Sequence, residues 1–136
     1  MIKDARLGKE IVISVVNKIG ILADISKILA DHAVNIEAAA GYAVENTAVI
    51  MLVTDDNLRS IDALKKQGYQ SVKEREAVIV KLENKPGALK GLTAKLAAEE
   101  IDIKQLYGTT CPESCPAIIV LSTTDNEKAL VSFKKK

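Results

Sequence analysis

Positions 10–16 (Glu-Ile-Val-Ile-Ser-Val-Val) are a β-branched run broken by one serine. Such a run predicts a strand buried on both faces. A turn at 17–20 follows, and then Ile21, Leu22, Ile25, Ile28 and Leu29 make one apolar stripe at helical spacing. Residues 34–43 return to strand character, with Gly41 marking a bend. Glu45-Asn46 supplies a turn and 47–54 a further strand. Asp55 and Asp56 then suit the start of a second helix, because carboxylates cap exposed N–H groups and favour the positive helix end. Its stripe is Leu58, Ile61 and Leu64, and Gly68 ends it. A short strand at 69–73 completes the order β-α-β-β-α-β.

The second half repeats this order. A strand at 77–82 leads to the turn Pro86-Gly87, and Leu89, Leu92 and Leu96 form the next helical stripe. Paired strands are expected at 101–109 and 117–123, and a last helix at 125–135. Asn17-Lys18-Ile19-Gly20-Ile21-Leu22 and Asn84-Lys85-Pro86-Gly87-Ala88-Leu89 lie 67 positions apart. Val34-Asn35-Ile36 matches Ile101-Asp102-Ile103 at the same offset, and Asp56-Asn57 matches Asp125-Asn126 at 69. The change from 67 to 69 places a two-residue insertion in the hairpin 111–116. The chain therefore divides into two related domains, 9–74 and 75–136, in an α+β architecture.

The second copy ends early. Residues 134–136 align with 65–67, so nothing corresponds to the strand 69–73. The apolar strand 77–82 is left with an open edge, which needs a cover. The candidates are another chain, the strand 69–73, or an N-terminal segment. Only Glu74, Arg75 and Glu76 separate 69–73 from 77–82, a reach of roughly 10 Å. A side-by-side sheet joined at the second strands would hold these segments about 30 Å apart. A homodimer, with ligand bound between chains, is the expectation that follows.

Composition narrows the function classes. The 136 residues carry 19 basic and 18 acidic side chains, a net charge of +1. That balance, with 3% aromatic residues, excludes an electrostatic or base-stacking case for nucleic acid. No apolar run approaches the roughly 20 residues a membrane span takes. The start of the chain lacks the pattern of a secretion signal, so a cytoplasmic protein is expected. At 48% hydrophobic content an aliphatic core can form.

Two strand–turn–helix copies of Asn-Lys-x-Gly-x-Leu in a β-α-β-β-α-β frame resemble tandem ACT domains. The resemblance covers roughly residues 9–136; Pro86-Gly87 is the closer copy, and Ile19 replaces the proline in the first. It implies a ferredoxin-like βαββαβ fold repeated twice, the second copy lacking its last strand. The implied function is an amino-acid-binding regulatory protein, not an enzyme and without a cofactor. Asn17, Gly20, Ile21 and Leu22 would form one half-site, and Asn84, Gly87, Ala88 and Leu89 another. Asn35, Ile36 and Glu37, or Asp102, Ile103 and Lys104, would close them from a neighbouring domain. The turn chemistry agrees independently: glycine allows close backbone approach, and a helix start favours a carboxylate. The plainer reading is that each Asn caps its helix and each Gly makes the turn.

The remaining residues point to no catalysis. His32 is the sole histidine and suits the negative end of the first helix; no nucleophile motif accompanies it. Cys111 and Cys115 flank a hairpin tip and read as two unpaired thiols, with a redox pair as the sharper alternative. No metal site is expected, since the sole histidine lies in the other half of the chain. A structural module that binds a metabolic enzyme through its sheet edges is the alternative to a sensor.

Overall fold

The computed structural model describes every residue except Cys111, Ser114 and Lys136. Ten elements follow in chain order: β1 (Ile2–Val16), α1 (Ile21–Asp31), β2 (Ile36–Val44), β3 (Thr47–Thr54), α2 (Asn57–Lys66), β4 (Ser71–Leu82), α3 (Ala88–Ala98), β5 (Ile103–Thr109), β6 (Ala117–Thr123) and α4 (Asn126–Lys134). They form two compact units. One is continuous, Lys9–Arg75; the other is split, Met1–Gly8 with Glu76–Lys136.

In the continuous unit the strand order is β2-β3-β1-β4, with antiparallel β1/β3 and β2/β3 ladders. Ile11, Ile13, Ile50 and Leu52 face Ile25 and Leu29 of α1 and Leu64 of α2 in one buried cluster. In the split unit the order is β1-β4-β6-β5. There Val78, Val80 and Leu121 meet Leu92 and Leu96 of α3 and Phe133 of α4. Each unit is thus an α+β ferredoxin-like sheet with two helices. The duplication extends to fine detail. Both second strands shift register at one place, between Ile36 and Ala38 and between Ile103 and Gln105. Asp56 caps α2 through the Arg59 N–H at 3.0 Å, and Asp125 caps α4 through the Lys128 N–H at 3.0 Å.

Two stretches depart from the sequence reading. Residues 2–8, given no structure there, are the first half of β1 and occupy the place of the strand the second copy lacks. Ala5 is 3% exposed within the split unit's core, and Ile2 packs against it. The open edge of 77–82 is therefore covered from within the chain, by the N-terminal segment. Residues 74–76, expected as a linker, are the middle of the unbroken strand β4. The reach argument for a second chain falls with that linker. The reason is cross-strand pairing: charged residues such as Lys3, Asp4, Glu74 and Arg75 enter a strand readily when a neighbouring strand accepts their backbone.

The hairpin tip carries a further difference. Cys111 lies outside the described residues, whereas Cys115 is disulfide-bonded, not an unpaired thiol. Among the described residues no helix is long and apolar enough to cross a membrane, and no cluster of His, Cys, Asp and Glu could hold a metal ion.

Candidate functional site

The repeated turn is built the same way twice. Gly20 sits at φ 87°, ψ 6° and Gly87 at φ 86°, ψ −9°, both in the left-handed region that favours glycine. The Ile21 N–H donates to the Lys18 carbonyl at 3.3 Å, and the Ala88 N–H to the Lys85 carbonyl at 3.2 Å. These glycines, not Asn17 and Asn84 as the plainer reading expects, hold the N-cap positions. Asn17 instead ties the turn to the β2–β3 hairpin, its N–H donating to the Asn46 carbonyl at 2.6 Å. Among the described residues neither N-cap position of α1 or α3 makes a side-chain cap bond. An uncapped helix start keeps first-turn N–H groups available to an anion. In contrast, α2 and α4 spend that capacity on Asp56 and Asp125.

Each unit carries a cleft. In the continuous unit it measures about 810 Å³ and is bounded by the end of β1, the outer face of α1 and the α2–β4 loop; Lys18, Ile21, Asp24, Lys27, Asp31, His32 and Tyr69 are among its lining residues. Lys27 Nζ holds Asp31 at 2.7 Å, whereas Lys18 and Asp24 stand 3.6 Å apart. The bond to Asp31 holds the Lys27 ammonium above its usual pKa. Burial, and then the nearby Asp24 carboxylate, raise the Tyr69 hydroxyl. His32 Nδ1 lies 2.8 Å from the Ile28 carbonyl, at the helix end where it was expected. In the split unit the matching cleft measures about 590 Å³ and includes residues 1–5, Gly91, Leu92 and Lys95 in its lining.

A left-handed glycine thus opens the helices that follow β1 and β4, within this strand order. Residues 9–67 match the family model of the ACT domain. Among curated proteins no match is found. Solved structures with similar folds include a protein of Bacteroides thetaiotaomicron, at TM-score 0.87 and 24% identity over 96% of this chain and 88% of that one. The ligand-free regulatory subunit of aspartate kinase from Thermus thermophilus follows at 0.67 and 13%, over 97% and 95%. Aspartokinase alpha and beta subunits match at 0.66 and 15%, over 97% and 95%. At these identities the likenesses establish the fold.

Within the matched segment and its counterpart the expected site residues separate. Ile21 is 8% exposed and belongs to the core, while Leu22 is 48% exposed. Ala88 and Leu89 repeat this in the split unit, at 3% and 47%. Asn35 and Ile36 lie at the other end of the continuous unit's sheet from the turn. Val16 pairs with Thr47 and Ile36 with Thr54, the two ends of β3, roughly 23 Å apart. Asn35 is held there by mutual bonds with Asp55, its N–H donating to Oδ1 at 2.9 Å. Asp102 is bound likewise to Thr124, and Ile103 starts β5 beside it. One domain alone therefore does not bring turn and second strand together. Lys18, Asp24 and Tyr69 are not among the site residues expected from sequence. Only their convergence on one cleft marks them, and no local pattern encodes it.

Proposed function

We propose that the protein is a regulatory sensor that binds a small molecule, with amino acids as the ligand class, and that it has no catalysis of its own. The observation that carries this reading is the contrast between helix starts. The two that follow the repeated turns open on a glycine without a cap, and the other two are capped by aspartate. The Leu22 and Ala23 N–H groups would receive a carboxylate at the first turn, beside Asn17, Gly20 and Ile21. Asn84, Gly87, Ala88 and Leu89 occupy the corresponding turn on what we take to be a second ACT-type copy. Asn35 and Ile36, or Asp102 and Ile103, would complete the site from a neighbouring domain. Relatives described as regulatory subunits of aspartate kinase support a regulatory role.

A thermal-shift screen against the twenty amino acids tests the reading, with a stereospecific rise for one of them as the expected result. Gly20→Val should abolish that rise, since valine is strained at φ 87° by about 1–2 kcal/mol and displaces the backbone from the ligand. An unchanged shift in this variant would move the site elsewhere. The second reading is a docking module for a metabolic enzyme. Val16, Ile19, Tyr42 and Val44 favour it, being exposed apolar side chains near one end of the continuous unit. Co-purification of an enzyme, with no amino acid giving a shift, would decide for that reading. The same exposed residues and the edge strand β2 support a homodimer. Light scattering during size-exclusion chromatography should read twice the 14.6 kDa chain mass, and a monomer at all concentrations removes the proposal.

A further inference from the structure

We propose that the chain holds one amino-acid site rather than two, in the cleft of the continuous unit, with Asp24 as the acceptor of the ligand's ammonium group and Lys18 as the partner of its carboxylate. This rests on the sensor reading and assigns its two charged contacts.

Two ion pairs line the cleft, and they differ. Lys27 and Asp31 are closed at 2.7 Å, one helical turn apart. Lys18 and Asp24 stand 3.6 Å apart, beyond a good hydrogen bond, with side chains 64% and 56% exposed. An exposed pair of this kind contributes little to stability, so a ligand can part it at small cost. An amino acid carries opposite charges a few ångströms apart and would enter between them. Its carboxylate would meet Lys18 at the uncapped start of α1, and its ammonium would meet Asp24. Tyr69 lines the same cleft. The volume of about 810 Å³ lies in the usual range for small-molecule sites.

The split unit lacks this arrangement at the same positions. The counterpart of Asp24 is Gly91, and that of Lys27 is Ala94. Lys85, the counterpart of Lys18, is already held by Glu83 at 2.8 Å, and that contact keeps the Glu83 carboxyl below its usual pKa. Met1 takes up space there. A Cβ built on Gly91 would lie 3.6 Å from its Sδ and one on Gly87 3.8 Å from its Cε, whereas one on Gly20 would meet nothing within 4 Å. The Glu83 N–H donates to the Met1 carbonyl at 2.8 Å, which fixes that residue beside the second turn.

Calorimetric titration of the full chain with the twenty amino acids, and with the N-acetyl and amide forms of whichever binds, tests the assignment. We expect one site per chain and at least tenfold weaker binding of both blocked forms. Asp24→Asn should weaken the free amino acid at least tenfold and leave the N-acetyl form unchanged; circular dichroism should remain that of the parent because Asp24 is exposed. Affinity within twofold of the parent in Asp24→Asn, or two equivalent sites per chain, overturns the proposal while leaving the sensor reading intact. Binding of none of the twenty removes the sensor reading and this assignment with it.

Discussion

Deletion of residues 2–7 is expected to unfold the split unit. These residues are the first half of β1 and the cover of β4 on the side away from β6. Val78 and Val80 are 0% exposed and Leu82 is 2% exposed behind them. Without the strand, its ladder bonds to β4 are lost at about 1 kcal/mol each. The burial of Ala5 and Ile2 is lost as well. Total domain stability begins at about 5 kcal/mol, so losing several such bonds together with this burial is enough to unfold the unit. Hydrogen exchange should show the amides of α3, β5 and β6 losing protection. If they exchange as slowly as in the parent, residues 2–7 do not hold the unit together. Ala5→Asp tests the same point without truncation. It places a carboxylate among Val78, Leu92 and Phe133 and should cost on the order of 3 kcal/mol.

The second large effect is expected at Arg75. Its Nε and Nη2 donate to Glu10 Oε2 at 3.1 and 3.0 Å. Glu10 is 1% exposed and Arg75 40%. Breaking a buried pair from one side costs about 3–5 kcal/mol, because the remaining charge loses its counter-charge. Water already reaches Arg75, so Arg75→Met should cost about 2–3 kcal/mol, toward the low end of that range. Urea denaturation would read the loss as a lower midpoint at unchanged slope. The double variant Glu10→Leu with Arg75→Met should recover most of it, since matched apolar replacement removes the buried charge altogether. A loss below about 0.5 kcal/mol in the single variant would reduce the pair to an ordinary surface contact.

Much of the fold was legible locally. Strands β3 and β6 fall at 47–54 and 117–123, as their β-branched runs predict. Asp56 and Asp125 cap where an aspartate before an apolar stripe should. Gly68 takes φ 93° just past α2. The spacing that matched Gly20 to Gly87 also holds in their backbone angles. Each of these signals acts within a few residues. The first half of β1 could not be read this way: Ile2, Ala5 and Leu7 alternate with charges at no constant period. Residues 74–76, all charged, look like a linker for the same reason. Their strand state depends on a partner strand far along the chain.

The candidate site divides along the same line. The turn was legible because only glycine adopts its conformation cheaply. Asp24 was not, since a carboxylate on an exposed helix face is commonplace until the fold sets Lys18 and Tyr69 around it. Sequence alone determined the repeated order of elements, the two glycine turns and the aspartate caps, because periodicity and backbone sterics act over a few residues. Tertiary structure alone decided that the N-terminal segment closes the second sheet, that Glu10 is buried against Arg75, and that one cleft keeps an open pair of opposite charges while Met1 sits in the other. Those outcomes depend on which distant backbones and side chains meet, and no short stretch of chain encodes such a meeting.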